Sequence, residues 1–160
     1  MPSVFSLIIA GQIPGRFAYA DDQCVVFSTI EPISPGHMLV VPRQEVANFV
    51  DTPDDLLGHL MTVAKRVGLA QQAGFPGTRA VMMIAGFDVP HLHLHVFSIA
   101  DQTGMSFANA KAADAASLDA NCEIVRQSLA DLGFGAFVPV SPSSCVLRLR
   151  AAQAPSQDLL

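Results

Sequence analysis

The sequence predicts one domain of mixed helix and strand, with its strands paired as antiparallel hairpins. Three observations predict it. The chain has 160 residues, 51% hydrophobic and 14% charged, so it can bury one sizeable core and is not a disordered segment. Two stretches, 16–30 and 79–99, each set a pair of apolar runs around a short polar turn, as hairpins do. A long amphipathic segment, 52–74, carries helix start and stop signals at its ends. There are no internal repeats.

Ser3 is followed by Val4, Phe5, Leu7, Ile8 and Ile9, which predicts a short helix capped by Ser3 and ended by Gly11. Ile13-Pro14-Gly15 is a turn. Arg16–Ala20 and Gln23–Ile30 flank Asp21-Asp22 as the first hairpin. Two prolines and a glycine make Glu31–Gly36 a loop. His37–Val41 reads as a strand stopped by Pro42, and a lone histidine at such an edge is ordinarily surface.

Thr52-Pro53-Asp54-Asp55 combines a cap, a proline at the first helical position and acids in the first turn. Leu56, Leu57, Leu60, Met61, Ala64 and Val67 follow at helical spacing, and Gly74 and Pro76 end the run. His59, Lys65 and Arg66 are expected on its solvated face. Arg79–Ala85 is a strand, and Gly86–Pro90 turns it into the next one. Asp101–Ser117 reads as loop. Leu118, Cys122, Val125, Leu129 and Leu132, followed by Gly133, predict a second amphipathic helix. Phe134–Val140 and Cys145–Arg150 are expected as late strands, with Arg148 and Arg150 on one exposed face. The domain is taken as 1–150, with 151–160 a flexible tail.

Nine basic and fourteen acidic residues give a net charge of −5, which argues against a binder of nucleic-acid polymers. A single nucleotide is still a possible ligand, because one phosphate needs only local donors. Cys24, Cys122 and Cys145 are odd in number and far apart, with no C-x-x-C pair. A reducing cytoplasm is therefore expected. Met1–Ala10 has no basic residue ahead of its apolar run, so no secretory leader is expected. No apolar run reaches membrane-spanning length.

Chemistry concentrates in Pro90–Ile99, P-H-L-H-L-H-V-F-S-I, where three of the five histidines alternate with Leu92, Leu94 and Val96. Period two predicts a strand that presents His91, His93 and His95 on one face and buries the apolar residues on the other. Neighbouring positions lie ~7 Å apart and the outer pair ~13 Å. Such a row suits phosphoryl chemistry. It could also bind a metal through two histidines and Asp88, with further ligands from elsewhere, or be purely structural. Imidazole titrates near pH ~6.5, so much of it is neutral and nucleophilic at neutral pH.

His91-Leu92-His93-Leu94-His95-Val96-Phe97 resembles the H-φ-H-φ-H-φ-φ signature of the histidine triad (HIT) family. Ile8–Pro14 resembles that family's opening helix and turn, and Pro35–Pro42 its P-x-H-φ-φ-V-φ-P strand. The three matches stand in the right order over roughly residues 5–99. The resemblance implies an α+β HIT-like fold, with an antiparallel sheet of about five strands and two main helices. It implies a homodimer, and nucleotidyl transfer at phosphorus with a nucleotide as substrate. It assigns His93 as nucleophile and His95 to the phosphate and leaving group, with His91 and His37 orienting the nucleophile. By the same resemblance Phe5, Ile9 and Phe27 line the base pocket, and Thr29 stands where some members place a ribose-binding Asp.

Two departures bear on the substrate. The family's G-Q-[ST]-V turn is here Gly86-Phe87-Asp88-Val89, which loses two side-chain donors and adds a carboxylate. A carboxylate ~5 Å from a phosphate costs about 3 kcal/mol at an effective dielectric of ~20. Backbone N–H groups of Gly86, Asp88 and Val89 can still serve a phosphate. The family's optional zinc site uses N-terminal cysteines, whereas Ser3 and Ser6 stand here, so neither a metal nor another cofactor is expected.

Overall fold

The computed structural model describes residues 1–145. Its elements are α1 (Val4–Ile9), β1 (Phe17–Ala20), β2 (Cys24–Ser28), β3 (Met38–Pro42), α2 (Asp54–Gly74), β4 (Arg79–Ile84), β5 (Leu94–Ile99) and α3 (Ala115–Leu129). The strands form one sheet in the order β1-β2-β3-β5-β4, antiparallel throughout. This is the α+β arrangement expected, with α2 and α3 as its main helices.

Alternation along the strands divides the sheet's two faces. Val26, Met38, Val40, Leu94 and Val96 pack with Leu60, Val63, Val67, Val125 and Leu129 of α2 and α3. Val25, Phe27, Leu39 and Val41 point the other way, to Phe5 of α1 and to Cys145. His95 is the register partner of Leu39, so it shares the α1 face. Gln71 is fully buried on α2. Its Nε2 donates to the Gly36 carbonyl at 2.9 Å and the Val96 carbonyl at 2.7 Å, joining helix to sheet beside His37. Gly36 has φ +79° and packs against Phe75, where a Cβ would meet the ring at 2.4 Å. Only glycine fits there.

Ser3 caps α1 as expected, its oxygen accepting from the Ser6 N–H at 3.0 Å. Other expectations are corrected. Thr52 does not cap α2. Its hydroxyl donates to the Asn48 carbonyl at 3.0 Å, and Pro53 precedes the first helical turn. The second amphipathic helix starts earlier than Leu118, at Ala115, because Asp114 caps it. The 101–114 connection contains two short helical turns, 102–104 and 107–109.

Phe134–Val140 is not a strand. The chain leaves α3 through a π-turn, and Gly133 at φ +96° breaks the helix. Residues 135–137 then form another helical turn. The aromatics that suggested a strand are packing groups: Phe137 stacks on Tyr19 at 5.1 Å, and the Arg66 guanidinium lies over Phe134 and Phe137. Most of the expected Cys145–Arg150 strand, with Arg148 and Arg150, and the 151–160 tail lie outside the described residues.

Two residues expected on the solvated face of α2 are instead engaged. His59 Nε2 meets Asp21 Oδ2 at 2.7 Å, and Arg66 donates to the Tyr19 hydroxyl at 2.8 Å. The sequence stripe missed them because their partners come from the β1–β2 hairpin. Asp21 is buried and also accepts from the N–H groups of Gln23 and Cys24 and from the Tyr19 hydroxyl. Burial works to raise its pKa, but these bonds prevail and hold it below the usual value.

The outer edge of β1 is met by the later chain, where Phe17 N–H donates to the Pro142 carbonyl. Among the described residues β4 pairs only with β5 and is the open edge. Among the described residues no helix is long and apolar enough to cross a membrane.

Candidate active site

The strand carrying the triad is shorter than its pattern. β5 begins at Leu94, so His91 and His93 precede the ladder and only His95 lies on it. Alternation nevertheless persists, with Leu92 and Leu94 buried in the α2–α3 core. The segment ahead of β5 is fixed by other bonds. Leu92 N–H donates to the Val46 carbonyl at 2.7 Å, and the fully buried His91 ring bridges the Pro42 carbonyl (Nε2, 2.7 Å) and the Ser3 hydroxyl (Nδ1, 2.6 Å).

The hydrogen-bond partners assign which nitrogen of each ring carries a hydrogen. A carbonyl can only accept, so His91 carries its hydrogen on Nε2 and receives one from Ser3 on Nδ1. His93 Nδ1 faces the His91 carbonyl at 2.7 Å. Nδ1 therefore carries the hydrogen and Nε2 is left with a bare lone pair. Ile33 N–H donates to His37 Nδ1 at 3.0 Å, so His37 Nε2 is protonated and donates to His95 Nδ1 at 3.0 Å. His95 then carries its own hydrogen on Nε2. Neither His93 Nε2 nor His95 Nε2 has a partner among the described residues.

These two rings lie 5.0 Å apart and line one cavity of about 480 Å³. Burial lowers the pKa of His37, His93 and His95. His37 is held down to about 3 by burial and by His95, and His95 to about 4 by burial and by His93. For His93 burial also prevails, although the His91 carbonyl favours the charged form. All three are neutral at pH 7. One nitrogen can attack an electrophile while its neighbour donates a hydrogen bond.

Phe5, Thr29, Gly86, Asp88 and Val89 line the same cavity, together with His37. Phe5 stands edge-on to His93 at 4.9 Å and to His91 at 5.8 Å. His91 is sealed beneath the cavity floor. Ile9 and Phe27 are not among the lining residues. They pack in the cluster behind Phe5, with the Phe27 ring 5.5 Å from it. Asp88 is exposed, and Phe87 at the loop tip is 97% exposed.

Sequence reasoning missed Leu39, Glu31 and Phe107 as lining residues. Phe107 stands edge-on to His95 at 4.8 Å. It arrives there because Lys111 and Ala113 donate backbone bonds to the carbonyls of Pro32 and Ile30. A loop without periodicity gave no signal for it.

The triad does not gather a metal-binding set with Asp88: His91 has both nitrogens engaged and His95 carries its hydrogen on Nε2, which leaves His93 Nε2 as the one bare nitrogen of the row. Among the described residues, a group of three donors within reach of one ion is Asp21, Cys24 and His59, but that carboxylate is occupied by four hydrogen bonds. Ser3 and Ser6 also do not fit zinc. Hydroxyls are poor substitutes for thiolates, and both bond to protein groups, Ser6 to Glu45 at 2.7 Å and Ser3 to His91.

Comparison with known proteins agrees with this geometry. A family model described as the HIT domain matches residues 10–102. An uncharacterised HIT-like protein of Synechococcus elongatus is 36% identical over 100 residues, covering 59% of this chain and 87% of that one. A zinc-bound histidine triad family protein from Mycobacterium smegmatis superposes with TM-score 0.71 at 26% identity, over 81% of this chain and 94% of that one. A hypothetical histidine triad nucleotide-binding protein from Sulfolobus tokodaii gives 0.68 at 27% identity, over 80% and 92%.

Proposed function

The chain belongs to the histidine triad family, and on that premise we propose that it is a nucleotide hydrolase or transferase. The bond cleaved is the P–N or P–O bond of a nucleoside phosphoramidate or a dinucleotide polyphosphate. The observation that carries this reading is the opposite protonation of two neighbouring nitrogens, His93 Nε2 bare and His95 Nε2 protonated.

In the proposed reaction His93 Nε2 attacks the α-phosphorus and the bond to the leaving group breaks. His95 Nε2–H donates a hydrogen bond to the departing nitrogen or oxygen, which takes a proton from solvent as it leaves. A nucleotidyl-His93 intermediate forms. Water then attacks phosphorus, loses a proton to solvent, and releases a nucleoside monophosphate and free His93. His91 supplies the carbonyl that keeps His93 in its tautomer, and His37 does the same for His95. Phe5, Thr29 and the backbone of Gly86, Asp88 and Val89 hold the substrate, with Ile9 and Phe27 backing Phe5. No metal takes part.

The test is hydrolysis of adenosine phosphoramidate and of a dinucleotide polyphosphate by wild type and His93→Ala. Wild type should turn over one of them, and the variant should lose about 1,000-fold or more. Activity that survives the substitution contradicts the proposal. A second reading, a nucleotide-binding module with little turnover, draws on one observation: Gly86-Phe87-Asp88-Val89 offers no side-chain donor to a phosphate. Calorimetry showing tight AMP binding without turnover would favour it.

The same reading includes a homodimer through the open β4 edge, which offers unpaired backbone groups. An apolar cavity of about 520 Å³ lies there, lined by Met61, Leu69, Val81, Met82 and Val96 among others, on the sheet face opposite His95. Three unpaired, buried cysteines support a cytoplasmic location.

A further inference from the structure

We infer that Ser3, held in place by Glu45 and Ser6, is a positioning residue for His93 that acts through His91. The inference rests on the function proposed above for its kinetic consequence, but not for its structural one.

Residues 90–93 lack ladder partners, yet they carry the carbonyl that fixes the His93 tautomer. The His91 side chain takes over the work of the missing ladder. Its ring is fully buried and touches protein acceptors or donors at both nitrogens. Pro42 receives the Nε2 hydrogen, so the one group that satisfies Nδ1 is the Ser3 hydroxyl. Ser3 donates its one O–H to that nitrogen while one of its two lone pairs accepts from the Ser6 N–H at 3.0 Å. Its backbone N–H and the Ser6 hydroxyl both donate to Glu45 Oε1. Those two bonds, foremost the one from the Ser3 N–H, draw the Glu45 carboxyl down to about 2, so it is an anion across the working pH range.

Glu45 sits in the chain just beyond β3, one residue before the Val46 carbonyl that holds Leu92. The N-terminus of α1, the segment after β3 and the triad are thereby tied at one point. A continuous path runs from Glu45 through Ser3, the His91 ring and the His91 carbonyl to His93 Nδ1. Without the Ser3 hydroxyl, a buried Nδ1 is left unsatisfied. The His91 ring, held then by the Pro42 carbonyl alone, is free to tilt, and the carbonyl it steadies loses its aim at His93.

The cap and the positioning role can be separated. Glycine is nearly as good a helix cap as serine but has no hydroxyl, and threonine keeps both functions. The experiment compares Ser3→Gly, Ser3→Thr and wild type, as full chains. It measures steady-state hydrolysis of adenosine phosphoramidate and imidazole ¹⁵N NMR shifts of His91 and His93. Ser3→Gly should lower kcat about tenfold with KM within about twofold, the scale of one buried hydrogen bond. The His91 Nδ1 resonance should move toward that of a nitrogen that accepts no hydrogen bond, and Ser3→Thr should restore both readouts. Glu45→Ala should shift them in the same direction by less.

An unchanged His91 spectrum in Ser3→Gly overturns the inference, whatever the rate does. So does wild-type kcat with an altered spectrum, since His93 would then not depend on the tether. Should wild type show no turnover of any nucleotide, the proposed function fails, and the His91 and His93 spectra still decide whether Ser3 holds the His91 ring in place.

Discussion

His37 Nε2 donates to His95 Nδ1 across 3.0 Å, from the start of β3 to β5. The bond holds a proton on the far nitrogen of His95, which lines the cavity. His37→Ala removes the donor and lets His95 exchange tautomers. The rate should fall about 100-fold for substrates with basic leaving groups, the scale of one lost donor at developing charge. It should fall much less for an activated aryl leaving group, which develops little charge on the departing atom. A series of leaving groups assayed with both proteins checks this; equal losses along the series would remove His95 as the donor to the leaving group.

Stability should depend on pH in a stated direction. His37, His93 and His95 titrate below their ordinary value in the folded protein, at about 3 for His37 and about 4 for His95. The unfolded chain binds protons at these rings near pH ~6.5. Between those limits the unfolded state holds more protons, so stability rises with pH and is lost as pH falls from about 6.5 toward 4. Urea midpoints measured across that window should fall with acid. His37→Phe should flatten the profile.

The Asp21 knot is structural and remote from the triad. Its carboxylate accepts from Gln23, Cys24, Tyr19 and His59. Asp21→Ala leaves buried donors unpaired and should cost about 3 kcal/mol in urea unfolding. Its kcat at 25 °C should match wild type.

Gly36→Ala should be costly for two reasons, the left-handed backbone and the contact with Phe75 at 2.4 Å. The expected loss is about 3 kcal/mol. Because residue 36 adjoins His37, activity should fall with stability. A variant as stable as wild type would show that the Phe75 ring yields freely.

Periodicity made much of this molecule legible. The hairpins, α2 and the alternation through Leu92, Leu94 and Val96 follow directly from the residue pattern. The limits are instructive too. His91-Leu92-His93 keeps the alternation of a strand without ladder bonds, because side chains and the 42–46 segment hold it in place. Phe134–Val140 has strand composition, but Gly133 and the aromatic packing on Tyr19 and Arg66 make it helical turns. His59, Arg66, Glu45 and Phe107 take their roles from partners distant in sequence, which no local pattern encodes. Which nitrogen of each histidine carries the hydrogen is likewise a property of the assembled fold.

The most direct test of the central claim is rapid acid-free quenching of wild type mixed with adenosine phosphoramidate, followed by peptide mass spectrometry. The account predicts a transient adenylyl adduct on the peptide containing His93, localised to that residue, formed and lost at rates compatible with kcat and absent in His93→Ala. Steady turnover without an adduct, or an adduct on His95 or His91 instead, would contradict it.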